Sequence, residues 1–559
     1  MDPIVILFIA MAIVVGGIVF VRLHAFVALL IGAIVVALLT PRQSLQDSET
    51  LRYAARVTQV NDESIRVKPA KGQPAYNGDI VIVRRDQERK TLAQIGSARL
   101  VVFDAEGDNL YSLSELSLSN DAAINGNSLR AGDFVLTTQQ HSAVKKTVSS
   151  GIGNRIATGF GQTCTKIGIL IALAAIVGVG LLESGAAERI VQWLQRCFGE
   201  KRTPIAFTVS GFVVGIPVFF DTVFYLLLPL AKALYRKTQR NYLLYILTIV
   251  IGASMAHSLV PPTPGPLLVA AELDINLTKM ILAGCIVGLF SVTAGFLTVL
   301  LLNSKIQISM PDGLDEEPTS RNETDLPPLL LSVLPIFLPM LLLATRTAFG
   351  KQLASLDSSA GRFSSSLVDT LGNPNIALGI AAAIALAMLY RSKPKDGQES
   401  HVGTNVQQAL ASAGMVILIT AIGGAFGHVL RQTGIATALQ DRFPATASGL
   451  VILFVAFGIT AVVRVAQGSA TVAMITSIGI VAPLAATVDL PFDTVYLAMA
   501  VGCGSKPLPW MNDSGFWVVT KMAGMTERQG LSTITVSLTV MGVVGFLVTL
   551  AGAVWLPLK

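Results

Sequence analysis

The sequence predicts an all-α polytopic membrane protein: an inverted repeat of about 5+5 transmembrane helices, with two re-entrant hairpins, broken helices and a small β-rich inserted domain. Three observations lead there. First, 52% of the 559 residues are hydrophobic and only 14% are charged, and the mean hydropathy is +0.63. Apolar runs recur from end to end at the length that crosses a hydrocarbon core of about 30 Å. Second, some of these runs carry Gly, Pro and charged residues at mid-length. Lipid tolerates such breaks only where protein or a water-filled cavity receives the freed backbone groups. Third, residues 43–147 abandon the apolar pattern for short alternating runs.

Spans are read at 3–21, 25–40, 165–182, 242–258, 278–302, 326–349, 375–391, 406–430, 493–520 and 531–556. Residues 3–21 lack a charged leader and an A-x-A site, and a second apolar run follows almost at once, so residues 1–42 read as a first transmembrane hairpin. Two runs fit no simple span. Thr203–Lys232 would be about 45 Å long as one helix at about 1.5 Å per residue, and Gly211, Gly215 and Pro217 interrupt it. Gly449–Ala486 carries Arg464, Gln467, Gly468 and Ser469 at its middle. Both are expected to enter and leave on one side, as hairpins 203–232 and 449–486.

The basic residues then set the orientation. One side collects Arg22, Arg189, Arg196, Lys201, Arg202, Lys232, Arg236, Lys237, Arg240, Lys305, Arg321, Arg391, Lys393, Lys395, Lys521 and Arg528. The other holds only Lys279, Arg346, Lys351, Arg362, Arg431, Arg442 and Lys559. The first set is cytoplasmic by the positive-inside rule, which puts both termini outside and makes 1–42 with 148–302 one repeat of five spans and 329–559 a second, oppositely oriented one, joined by a linker at 303–328. The insert at 43–147 shows strand-like runs at Arg56–Val60, Ser64–Lys68, Ile80–Arg84, Arg99–Phe103 and Phe134–Thr138, separated by turn residues. The charge count puts it outside the cell, although long loops do not obey that rule.

Composition also excludes classes. The net charge of +6 comes from basic residues scattered between spans, without an aromatic-interleaved patch, so nucleic acid is not an expected partner. Cys164, Cys197, Cys285 and Cys503 are isolated, with no CxxC or CxxH spacing, which predicts neither a disulfide framework nor a metal site. No nucleophile–base pair stands out, so no enzyme activity is expected.

The chemistry sits in four segments. Gly215–Asp221 (GIPVFFD) places Asp221 after two phenylalanines, where a carboxylate suits proton coupling; its structural alternative is a helix cap. Next, His257 precedes a cluster of four prolines in six residues, Pro261 to Pro266. His257 is a second candidate proton carrier or an interfacial helix-end histidine, and Thr263 lies where a new helix begins with an amino end that attracts anions. In the second hairpin, Arg464 suits bidentate binding of a carboxylate, with Gln467, Ser469 and Thr471 beside it for hydroxyl or carboxylate oxygens. The alternative for Arg464 is an ion pair with Asp221 or Asp513. Last, Gly504–Trp517 (GSKPLPWMNDSGFW) brings Asn512 and Ser514 as polyol-binding candidates and Asp513 as a proton carrier or helix cap. Lys506 is expected to snorkel or pair.

At these segments, and at Glu183–Arg189 (ESGAAER) and Gly211–Pro229, the chain resembles the gluconate permease (GntP) family of proton symporters, in the wider ion transporter superfamily. AQGSAT at 466–471 together with NDSGFW at 512–517 is the specific part. The resemblance covers about 450 residues, everything but the insert. It implies uptake of a sugar acid with protons, an inverted-repeat fold, a homodimer and elevator-type movement in the bacterial inner membrane. The chain departs from the family pattern in having Thr263 where a histidine is usual, Trp510-Met511 where Ser-His is frequent, and Asp221 where Glu is common. No cofactor beyond a transported proton is expected. Sodium coupling with a dicarboxylate is the rival within the class, and a transporter-derived sensor signalling through the insert is the rival outside it.

Overall fold

The computed structural model describes all residues except 20, 22, 61–63, 69–77, 86–91, 103–109, 119–129, 131–132, 200–201, 307, 309, 311–325, 355–358, 393–401, 436–437, 439–448, 486–489, 512 and 559. The chain divides into two compact units. One gathers Met1–Ile13, Leu30–Gly159 and Ala425–Arg442; the other gathers Val14–Leu29, Phe160–Gly424 and Phe443–Lys559.

At the start of the chain, α1 (Pro3–Val19) and α2 (Ala25–Leu39) are apolar throughout. α3 (Arg42–Tyr53) turns away from α2 by 103°, at Pro41, as the sequence changes from ALLT to the polar RQSLQDSE. Proline there lacks an N–H to continue the ladder, and polar side chains have no reason to prolong an apolar rod. Six antiparallel strands follow: β1 (Ala55–Val60), β2 (Ser64–Lys68), β3 (Gly78–Arg85), β4 (Leu92–Val102), β5 (Leu110–Leu118) and β6 (Phe134–Thr137). They pair in the order β1-β2-β5-β4-β3-β6, and β6 returns to β1.

β3 reads Ile80-Val81-Ile82-Val83 because both of its faces are covered, and all four side chains are buried. Val81 and Val83 share a cluster with Leu136 of β6 and Val144 of α4 (Thr138–Ser149). Arg84 grips Asp133 through Nε and Nη2, both at 2.8 Å, and fixes the approach to β6. Strand β5 is not among the runs expected from sequence, and β4 begins at Leu92, ahead of the expected Arg99. The expected turns at 61–63, 105–108 and 125–127 lie outside the described residues, as does most of the linker 303–328.

The second unit is helical. α5 (Ile152–Glu183), whose N-terminal turns belong to the first unit, is followed by α6 (Ala186–Phe198), α7 (Thr203–Gly215), α8 (Phe220–Thr238), α9 (Tyr242–Leu259), α10 (Pro264–Glu272) and α11 (Leu277–Lys305). After the linker come α12 (Leu329–Ala354), α13 (Ser359–Leu371), α14 (Pro374–Arg391) and α15 (Val402–Arg431). The last series is α16 (Gly449–Gln467), α17 (Ala470–Ala485), α18 (Thr494–Gly504), α19 (Ser514–Met522), α20 (Glu527–Gly530), a π-helical turn at Leu531–Thr535, and α21 (Val536–Trp555). Among the described residues seven helices are long and apolar enough to cross a membrane, or eight if the bent pair α2–α3 is one span, and the protein is a multi-pass membrane protein. Of the ten spans read from sequence, 3–21 and 493–520 are shorter or broken helices, and 25–40 ends in the bend.

Two series of elements share an order: helix, break, helix, broken helix, long helix. α7 to α11 is one and α16 to α21 is the other. Within the first, α9 is enclosed by protein, and 94% of its apolar window is buried. A helix apolar on every side requires such a setting. Small residues permit it: a Cβ at Gly211 of α7 would stand 3.0 Å from the Ile249 carbonyl of α9. Gly211→Leu therefore overpacks this contact and lowers stability by about 1–3 kcal/mol, read as an earlier thermal unfolding midpoint in detergent.

Candidate functional site

Three of the chain's helix breaks, together with the C-terminal part of α9, line one cavity of about 290 Å³. The turn between α7 and α8 supplies Phe219, Phe220 and Asp221; α9 supplies Ser254 and His257; the α16–α17 break supplies Arg464, Ser469 and Thr471; the α18–α19 break supplies Lys506 and Asp513. Val416 and Ile419 of α15 and Leu538 of α21 close it with apolar surface. Its size is at the lower end of ligand cavities, about 300–1,000 Å³, which suits a small molecule.

Each break has a local cause. Gly468 adopts φ 85°, a left-handed conformation that ends α16, and Ser469 then receives the Val472 N–H at 3.3 Å as α17 begins. Pro507 and Pro509 end α18, and Asp513 Oδ1 accepts the Gly515 N–H at 2.8 Å to start α19. Trp510 Nε1 donates to the Val465 carbonyl at 2.8 Å, fastening this break to α16 beside Arg464. Thr263 closes α9 by donating to the carbonyls of His257 and Val260, both at 2.9 Å.

The electrostatics centre on Arg464. It is 4% exposed, and its Nη2 forms an ion pair with Asp513 Oδ2. Its Nε and Nη1 are buried and have no hydrogen-bond partner among the described residues. An unsatisfied buried N–H costs about 1–3 kcal/mol, so each of these donors favours an arriving acceptor such as a carboxylate oxygen. The amino end of α17 faces the same space and adds a partial positive charge. His257 Nε2 lies 3.1 Å from Thr471 Oγ1, and its ring rests against Phe219. His257 Nδ1 is buried without a partner among the described residues.

The cavity thus gathers Asp221, His257, Arg464, Ser469, Thr471 and Asp513 of the residues predicted from sequence. Asp221 is exposed in the first turn of α8, and Asp513 serves both as ion-pair partner and as helix cap. Thr263 lies elsewhere, against Pro217, Phe219 and Pro262, with its hydroxyl committed to backbone carbonyls. The nearby amino end of α10 is poor in donors, because Pro264 and Pro266 have no N–H. Asn512 lies outside the described residues, as do the side chains of Gln467 and Ser514.

Lys506 does not snorkel: it is 2% exposed, and its Nζ donates to the Ser254 carbonyl at 2.6 Å and to Ser254 Oγ at 2.9 Å. Its place inside an interrupted apolar run was the available signal.

Residues 138–555 match the family described as GntP family permease. A gluconate permease of Pseudomonas aeruginosa is 32% identical over 391 residues, covering 69% of this chain and 84% of its own. The inner membrane permease YgbN of Escherichia coli is 29% identical over 408 residues, covering 71% and 88%. Among solved structures, the YdaH transporter of Alcanivorax borkumensis matches with a TM-score of 0.50 at 14% identity, over 83% of this chain and 95% of that one, a likeness of fold alone. The matched family region begins at α4, after the strands, and contains every residue that lines the cavity. On the family match and the lipid-length helices together, this chain belongs to the GntP permease family and is a membrane transporter rather than an enzyme.

Proposed function

We propose that this protein is a secondary active carrier of the bacterial inner membrane that takes up gluconate or a related sugar acid or hydroxy monocarboxylate together with protons. The observation that carries the reading is the buried guanidinium of Arg464, with Nε and Nη1 unengaged among the described residues in a small cavity. A substrate carboxylate would accept from one of those donors and from the amino end of α17. Ser469 and Thr471, with Asn512, Gln467 and Ser514 from the same breaks, would take its hydroxyls. Asp221, Asp513 and His257 are the sequence candidates for the proton.

The shared order of α7–α11 and α16–α21 supports an inverted repeat whose 203–232 and 449–486 segments are re-entrant hairpins. Alternating access in this reading is elevator-type movement within a homodimer. Residues 43–147 form an inserted β-rich domain on the extracytoplasmic side, within the first transport repeat, between its hairpin 1–42 and its remainder 148–302; the linker 303–328 leads to the second repeat, 329–559.

Uptake of labelled gluconate into proteoliposomes under a proton gradient, with glycerate, lactate and citrate as competitors, tests the substrate class. Uptake that survives collapse of the gradient refutes proton symport, and accumulation without sodium refutes an obligatory sodium requirement. The insert is accessory in this reading, so deleting residues 45–145 leaves uptake within about twofold of wild type, in keeping with the free-energy change of a few tenths of a kcal/mol that a remote change brings. Loss of uptake in a folded, membrane-inserted deletion variant favours the sensor reading.

A further inference from the structure

Lys506 carries a buried amine that lines the cavity and touches no carboxylate among the described residues; its hydrogen bonds are to the carbonyl and hydroxyl of Ser254. A lysine so placed is costly unless its charge is used. Among the described residues around it, α9 presents His257, the α16 end presents Arg464, the start of α19 presents Asp513, α18 presents Cys503, and α8 contributes the more exposed Asp221 to the same cavity. α21 approaches with Gly542, where a Cβ would stand 2.9 Å from the Lys506 Cβ, and brings no charge. Asp513 is already shared between Arg464 and the α19 cap.

We propose that Lys506 is the proton-coupling group of this carrier. The inference rests on the proton-symport reading and deepens it. With the cavity empty, the amine can exist without its proton, since Ser254 supplies polar partners in either state. When a carboxylate seats on a free N–H group of Arg464, it brings one negative charge into a space where Asp513 already balances the guanidinium. A proton taken up by the Lys506 amine from the outer solution restores neutrality. Anion and proton thus favour each other's binding, and the effect is reciprocal. Either one alone leaves an uncompensated charge in a low-dielectric cavity, so the loaded state that crosses carries both. On the inner side the carboxylate leaves and the amine returns its proton to water; no other bond is made or broken.

The test uses the full chain in proteoliposomes with labelled gluconate, comparing wild type, Lys506→Arg and Lys506→Gln. Two quantities are read: exchange at equal pH, and accumulation under an inside-alkaline gradient with the membrane potential clamped. Wild type should exchange, and should accumulate about tenfold per pH unit for one proton per substrate, since tenfold is about 1.4 kcal/mol. Both lysine variants should lose accumulation, down to a ratio of about 1, and gluconate binding should lose its dependence on pH. Lys506→Arg, whose fixed charge balances the bound carboxylate, should still exchange, whereas Lys506→Gln should exchange poorly. Two outcomes overturn the proposal: accumulation by either lysine variant, which removes the residue from proton coupling; and absent exchange in folded Lys506→Arg, which makes it a substrate anchor. A wild type that exchanges without accumulating, or does neither, refutes the symport or the gluconate reading beneath it.

Discussion

Arg464→Ala is expected to abolish substrate binding while leaving the protein inserted in the membrane. Arg464 brings to the cavity a buried guanidinium whose Nε and Nη1 have no partner among the described residues, and truncating one side of a buried charged pair costs about 2–5 kcal/mol, or about 30-fold to several thousand-fold in affinity. Arg464→Lys should recover little of this. An ammonium on a flexible stem can pair with Asp513, but it lacks the rigid planar fork that also holds an N–H toward a carboxylate. Isothermal titration or scintillation proximity binding of gluconate to the purified protein measures both variants. Binding by Arg464→Ala within about threefold of wild type, a difference of about 0.7 kcal/mol, would remove the carboxylate assignment.

The second large effect is on stability. Asp513 balances a guanidinium that is 4% exposed and also caps α19. Asp513→Ala removes both functions, and breaking a buried pair by deleting one partner costs about 3–5 kcal/mol. Asp513→Asn keeps a side-chain oxygen for the Gly515 N–H but loses the charge, so it isolates the electrostatic part. The double variant Arg464→Met, Asp513→Leu removes the charges together and should return most of the lost stability, because an apolar pair avoids the desolvation penalty. It should remain unable to bind substrate. Thermal unfolding in detergent alongside binding separates the two: stability falls, then recovers, while affinity stays lost.

Much of the site was legible because a bilayer makes polar groups conspicuous. In a soluble protein, Arg464, Asp513 or Asp221 would be three charges among many; within apolar runs each demanded a cavity or a partner. The breaks were legible for the same reason, since glycine and proline cannot continue a helix and lipid cannot receive the freed carbonyls. Thr263 shows the limit of that reasoning. Its place after the broken α9 suggested a ligand contact, yet a hydroxyl at a helix end has two nearby carbonyls, and it satisfies those. Lys506 shows the opposite limit. A lysine next to prolines looks like an interfacial residue, and only its distance from solvent and its bonds to Ser254 reveal it as an inward-facing charge. Strand β5, LYSLSELSL, was passed over because its alternation is carried by serines rather than β-branched residues.

By itself the sequence determined that this chain lives in a membrane, that its helices break at particular glycines and prolines, and which polar side chains those breaks must shelter. These follow from transfer free energies and backbone geometry, which act locally. The tertiary structure decided which breaks meet. That Arg464 pairs with Asp513 rather than Asp221, that His257 reaches Thr471 from more than 200 residues away, and that Lys506 turns onto Ser254 depend on helices approaching across a small cavity. No local pattern encodes that approach, because it is set by the packing of many small residues along α7, α9 and α18.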